Sequence, residues 1–148
     1  MNPSPTPELL HATSVAIDGR GVLLTGPSGA GKSDLALRLI DRGATLIADD
    51  QTAVRRAGDA VLLRAPERIE GLLEVREIGI VRVATRSDVP LALCVALDAP
   101  AERLPTPRTR LVAGLPVPEM ALDPRQPSAP IKVEVAVRNL EKAIDAQR

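Results

Sequence analysis

Apolar residues fall in short blocks along the first half of the chain, each closed by a turn residue or a charge. Ser14-Val15-Ala16-Ile17 and Gly21-Val22-Leu23-Leu24-Thr25 flank Asp18-Gly19, which predicts two strands joined by a hairpin turn. From Asp34 to Arg42 the period changes. Leu35, Ala36, Leu39 and Ile40 share one helical face, Asp34, Arg38, Asp41 and Arg42 lie opposite, and Gly43 is placed to end the helix. Ala44-Thr45-Leu46-Ile47-Ala48 is a further apolar strand, and it runs out into Asp49-Asp50. Thr52 to Arg56 and Ala60 to Arg64 read as a hairpin around Ala57-Gly58-Asp59, and Pro66 to Glu70 has room for one helical turn.

The second half is less regular. Gly71 to Val83 is an apolar run with charges set into it, and Asp88-Val89-Pro90 breaks the chain before a buried strand, Leu91 to Leu97. Prolines are dense from Ala99 to Pro130, which predicts loops and one edge strand, Val117 to Leu122. Ser128-Ala129-Pro130 reads as a helix start, and the stripe Val133, Val137, Leu140, Ile144 makes Ile131 to Gln147 a packed C-terminal helix. Met1 to Glu8, with three prolines, reads as a loose N-terminus. Strands outnumber helices and do not alternate with them. The expectation is one domain, 1–148, of mixed α/β class, with a mixed sheet flanked by helices.

Composition narrows the chemistry. Phe, Tyr and Trp are absent, so the core must be aliphatic and no aromatic can stack on a base. Formal net charge is zero, so nothing suggests nucleic acid or an anionic membrane as a partner. No segment resembles a signal peptide or a membrane span, so the reading is a cytoplasmic protein. Cys94 is the single cysteine; it excludes a disulfide framework and reads as a small buried apolar residue.

Gly26-Pro27-Ser28-Gly29-Ala30-Gly31-Lys32-Ser33 fits the phosphate-loop pattern G-x-x-x-x-G-K-[ST] at every fixed position, between a predicted strand and a predicted helix. Its glycines let the backbone turn N–H groups inward around an anion. Lys32 can reach the outer phosphates and is expected to face solvent, while the Ser33 hydroxyl can ligate Mg²⁺. This is a nucleotide-phosphate site. Asp49 and Asp50 close a buried strand and, as neighbours on a strand end, point opposite ways. One can hold the metal shell or a neighbour while the other faces the substrate. Glu74 and Arg76 share a face if their stretch is extended; the carboxylate can ligate Mg²⁺ and the guanidinium can neutralise phosphate. His11 is the only histidine.

These residues, in this order, resemble the catalytic domain of the HPr kinase/phosphorylase family. The matching pieces are His11 ahead of the first strand, Gly26 to Ser33, Ala48-Asp49-Asp50, and Leu73-Glu74-Val75-Arg76 continuing to Ile78-Gly79-Ile80, with Glu102-Arg103-Leu104 a weaker match. The resemblance implies an ATP-dependent protein serine kinase that phosphorylates the phosphocarrier protein HPr. It implies Mg²⁺ on Ser33 and Glu74, phosphates on Lys32, and Asp50 as the base toward the serine hydroxyl, with His11 and Arg103 completing the site. It also implies a P-loop fold similar to that of phosphoenolpyruvate carboxykinases, and a homo-oligomer, the family's hexamer.

The chain departs from the family pattern in three places. It begins ten residues before His11, so it reads as a short form without the family's N-terminal domain. Glu77 stands where the family usually has glycine after the Arg of its L-E-V-R-G run. Asp123-Pro124-Arg125-Gln126-Pro127-Ser128 stands where the family has P-V-R-P-G-R, the loop tied to the phosphorolytic direction. Kinase activity with weak phosphorolysis is therefore expected. The phosphate loop by itself also suits another small-molecule kinase or NTPase, or a non-catalytic nucleotide-sensing regulator.

Overall fold

A computed structural model describes residues 7–146, with side chains to residue 140. The chain pairs β1 (Glu8–Leu10) with β5 (Thr52–Ala57), and β5 with β6 (Ala60–Arg64), all antiparallel. β2 (Ala12–Ile17) and β3 (Arg20–Thr25) form the predicted hairpin, and β2 also carries β4 (Thr45–Ala48) antiparallel on its other side. β7 (Leu72–Val75) and β8 (Gly79–Arg82) make a separate two-stranded hairpin. β9 (Val89–Ala96) is the central strand. It lies parallel to β3 on one side; on the other, β6 covers its start and β11 (Leu115–Ala121) its end. β10 (Arg108–Val112) completes a hairpin with β11. The result is a mixed α/β fold, a curled sheet with two helices, α1 (Lys32–Asp41) and α2 (Ala129–Ala146).

Alternation along β3 explains the two layers. Val22 and Leu24 point to one face and Leu23 to the other, as period-two geometry requires, and all three are fully buried. The first face packs against Leu35 and Leu39 of α1 and Val133 and Val137 of α2. The second is closed by the sheet curling back: Leu23 and Cys94 share a cluster with Val54, Leu63 and Val117. Both faces are thus covered without a single aromatic ring. Cys94 is buried, and burial pushes its thiol up to about 11. Arg42 of the α1 C-terminus bonds the buried carboxylate of Glu134 at 2.9 Å, fixing α2 on α1.

Several expectations need correction. His11 does not precede the first strand, because Glu8–Leu10 already pairs with β5. The central strand begins at Val89 and includes Pro90, where a break was expected. The proline-rich segment holds a hairpin rather than one edge strand. Pro116 and Pro118 lie two apart, so both missing N–H donors fall on one edge of β11, and that edge pairs with β9 only from Glu119 onward. Gly71 to Val83 is a hairpin whose turn uses Glu77 at φ 74°, a conformation unusual for a residue with a Cβ. α2 starts at Ala129, inside the expected start Ser128-Ala129-Pro130 and two residues ahead of Ile131; Gln147, the Ile144 side chain and residues 1–6 of the expected loose end lie outside the described residues.

Candidate active site

β3 and β9 run parallel, and the loop Gly26–Ser33 leaves the carboxyl end of β3 to enter α1 at Lys32. Gly26 has φ 148°, and a Cβ there would come 2.9 Å from the Ala30 Cβ, so only glycine makes the first turn. Gly31 caps α1 in the left-handed conformation with no side-chain cap. The first-turn amides of α1 therefore open onto the loop, the arrangement that suits a phosphate.

Lys32 is not solvent-facing as expected. It is 5% exposed, and its Nζ donates to Gly26 O at 2.6 Å and Pro27 O at 2.9 Å. A buried ammonium must be paired, and the carbonyls of its own loop are the acceptors at hand. Lys32 thus braces the loop.

Asp49, at the end of β4, is the hub. Its Oδ1 accepts the Ser33 hydroxyl at 2.6 Å and the Thr13 hydroxyl at 3.1 Å, and its Oδ2 accepts the Glu74 amide at 2.9 Å. One carboxylate therefore ties the phosphate loop to β2 and β7. Asp50 turns away. At φ 66° it leaves the strand in the left-handed region, its amide donating to Thr13 Oγ1 at 3.0 Å. Its side chain is exposed, and Oδ1 accepts His11 Nε2 at 2.8 Å. The two acids do meet different partners, as expected, but through the turn at Asp50 rather than through strand alternation, since β4 ends at Ala48.

The remaining predicted residues are less drawn together. Glu74 supplies its backbone amide to Asp49, but its side chain is exposed on β7. Arg76 lies in the β7–β8 turn rather than beside Glu74 on an extended face. Arg103 sits exposed in the segment after β9, and no described hydrogen bond or ion pair joins it to His11 or Asp50. Among the described residues no group of three or more His, Cys, Asp or Glu could hold a metal unaided. Ser33 Oγ beside the Asp49 carboxylate is nonetheless a hard-oxygen pair that fits Mg²⁺, which takes one or two protein ligands and fills its octahedron from water and nucleotide phosphates.

Behind the loop lies a cleft of about 620 Å³, lined by Gly29, Gly31, Asp34, Arg38, Asp98 and Arg125 among others. Arg38 spans it from α1, donating to the carbonyls of Pro124 and Gln126 and pairing with Asp34. Arg125 folds back on Asp123, with its amide and Nε at 3.0 Å from Oδ1 and Nη2 at 3.3 Å from Oδ2. Bonded by Arg125, the Asp123 carboxyl is held below its usual value. Sequence reasoning missed Thr13 and the bracing role of Arg38. Thr13 carries no motif, and only strand register reveals it; Arg38 reads as one of several helix-surface charges.

The family model for the HPr Serine kinase C-terminal domain matches residues 5–145 of the chain. The chain is 40% identical to the HPr kinase/phosphorylase of Burkholderia lata, with 88% of this chain and 45% of that one covered. It is 45% identical to the HPr kinase/phosphorylase of Halalkalibacterium halodurans over 60% of this chain and 31% of that one. The chain thus spans less than half the length of these relatives. A solved structure, the Hpr(Ser) kinase/phosphatase from Coxiella burnetii, superposes with a TM-score of 0.82 at 28% identity, covering 95% of this chain and 94% of that one. Among the described residues no helix is long and apolar enough to cross a membrane.

Proposed function

The chain belongs to the family of the HPr serine kinase C-terminal domain, and from that premise we propose that it transfers phosphate from ATP to a serine of HPr. The observation that carries the reading is the division of labour at the end of β4: Asp49 holds the phosphate-loop serine, and Asp50 stands outside with His11. Phosphoryl transfer needs phosphates positioned on one side and a nucleophile oriented on the other, and two adjacent carboxylates supply both. A kinase for a protein substrate also needs its base accessible, and the Asp50 side chain is 66% exposed.

In this reading the loop amides and Lys32 grip the phosphates, and Ser33 and Asp49 hold Mg²⁺, with Glu74 a further oxygen donor from β7. Bound there, the metal would neutralise charge on the transferring phosphoryl group. Asp50 accepts the proton of the attacking serine hydroxyl, and His11 fixes the carboxylate toward it. Arg76 and Arg103 are assigned to phosphate and substrate contacts made once HPr is seated. The cleft beside Arg38 has room for the rest of the nucleotide, held by aliphatic and backbone surfaces. A homo-oligomer, the hexamer of the resemblance, belongs to the same reading. Ile78 and Ile80, 75% and 71% exposed on the β7–β8 hairpin, support it, and sedimentation checks it.

The test is Asp50→Asn beside the unaltered protein, given ATP, Mg²⁺ and HPr. Turnover should fall on the order of 10²–10⁴, the worth of a general base, with ATP·Mg²⁺ affinity retained. Equal loss of affinity and turnover would move Asp50 from proton transfer to nucleotide binding and reverse the assignment.

A further inference from the structure

We propose that Thr13 is a positioning residue that sets both carboxylates of the Asp49-Asp50 pair through one hydroxyl. Thr13 is fully buried. A threonine hydroxyl has one proton to give and two lone pairs to offer. Its proton goes to Asp49 Oδ1 at 3.1 Å, and a lone pair takes the Asp50 amide at 3.0 Å. The same oxygen therefore orients the acid that holds Ser33 and pins the backbone of the acid that meets His11.

The strand register shows how this juxtaposition arises. β2 and β4 pair Val15 with Leu46 and Ser14 with Ala48, so Ile47 is an extra residue, a β-bulge. Continuing the ladder beyond Ser14 and Ala48 puts Thr13 opposite Asp49. Without the bulge the partner of Thr13 would be Ala48, and Asp49 would face Ala12. A one-residue slip changes which side chain meets which, so the bulge aims the acid at the hydroxyl. The Asp50 amide bond then matters because Asp50 sits at φ 66°, a left-handed conformation uncommon for a residue with a Cβ, although Asp enters it more readily than most, and the bond to Thr13 helps hold it there. Two nearby hydroxyls do not substitute: Ser14 and Thr52 bond each other, and Thr52 donates onward to Ala12 O.

The effect on turnover rests on the kinase reading; the effect on His11 does not, and two readouts separate them. Thr13→Val keeps the shape and removes the hydroxyl, whereas Thr13→Ser keeps the hydroxyl. With ATP, Mg²⁺ and HPr, Thr13→Val should lose about 10–100-fold in kcat, the scale on which partners behind a ligating carboxylate act, and Thr13→Ser should recover most of it. Without nucleotide or HPr, the imidazole resonances of His11, the only histidine, report the Asp50 contact directly. They should move in Thr13→Val and return in Thr13→Ser. His11 resonances unchanged in a folded Thr13→Val protein would overturn the proposal, whatever the activity. So would equal impairment of both variants, since packing rather than the hydroxyl would then be the cause. Should the protein leave HPr unmodified, the kinase reading falls and the His11 resonances alone decide the role of Thr13.

Discussion

The Ser33 hydroxyl lies 2.6 Å from Asp49 Oδ1, joining the phosphate loop to the end of β4 across sixteen residues of chain. Every described partner of Asp49 at this site is a donor: two hydroxyls and one amide. A carboxylate accepts all three at once. In Asp49→Asn the side chain either sets its NH₂ against the Glu74 amide or, flipped, turns both hydroxyls into acceptors and displaces their protons, and the misfit costs about 1–3 kcal/mol when buried. The expected outcome is a lower Tm and a raised KM for ATP·Mg²⁺, with kcat at saturation falling less than in Asp50→Asn. Thermal unfolding and steady-state kinetics on the same preparation check it. Wild-type KM and Tm would show that Asp49 is not the hub.

Lys32→Ala should abolish turnover, and the structure adds a second effect. The ammonium braces the loop through Gly26 O and Pro27 O, so its loss leaves two carbonyls of a half-exposed loop without their charged donor. Stability should drop by about 1–3 kcal/mol, the range for unmaking bonds of this kind. The fold should survive, because the braced element is one loop. Full turnover in a folded Lys32→Ala protein would remove the premise of a phosphate site.

How much of this was legible in the chain depends on distance along it. The phosphate loop, α1 and the β2–β3 hairpin are local patterns, and Gly26 to Ser33, Leu35 to Leu39 and Asp18-Gly19 announce them. The Asp49-Asp50 pair was legible as two acids with different partners, although they diverge because Asp50 leaves the strand at φ 66°, not by strand alternation. Thr13 was not: its role depends on a bulge at Ile47, and nothing in Ala44 to Ala48 signals an extra residue. The β10–β11 hairpin was hidden for a related reason. Proline argues against a strand in general, yet prolines spaced by two spoil only one edge. Arg76 was misplaced because the β7–β8 turn runs through Glu77 rather than a glycine.

The Asp123–Arg125 contact bears on direction. Phosphorolysis requires inorganic phosphate held in line behind the phosphoserine, in a cationic or amide-lined pocket. The arginine of the 123–128 turn is already engaged by the carboxylate two residues before it. Because bonding to Arg125 lowers the Asp123 pKa from 3.8, the carboxylate is ionised throughout the neutral range. Whatever the contact contributes to stability is present above pH 3.8 and is lost as pH falls through the lowered value. At neutral pH the clamp holds, and release of pyrophosphate from phosphoserine-HPr with millimolar phosphate should be weak. Asp123→Asn, which weakens the clamp, should raise it. Efficient release by the unaltered protein would contradict this account of the turn.

The measurement closest to the central claim is incubation of the protein with ATP, Mg²⁺ and HPr, followed by mass-spectrometric mapping of HPr. The account predicts one phosphate on one serine of HPr, dependent on Mg²⁺ and absent with Asp50→Asn. ATP turnover that ignores HPr, or nucleotide binding with HPr left unmodified, would contradict it.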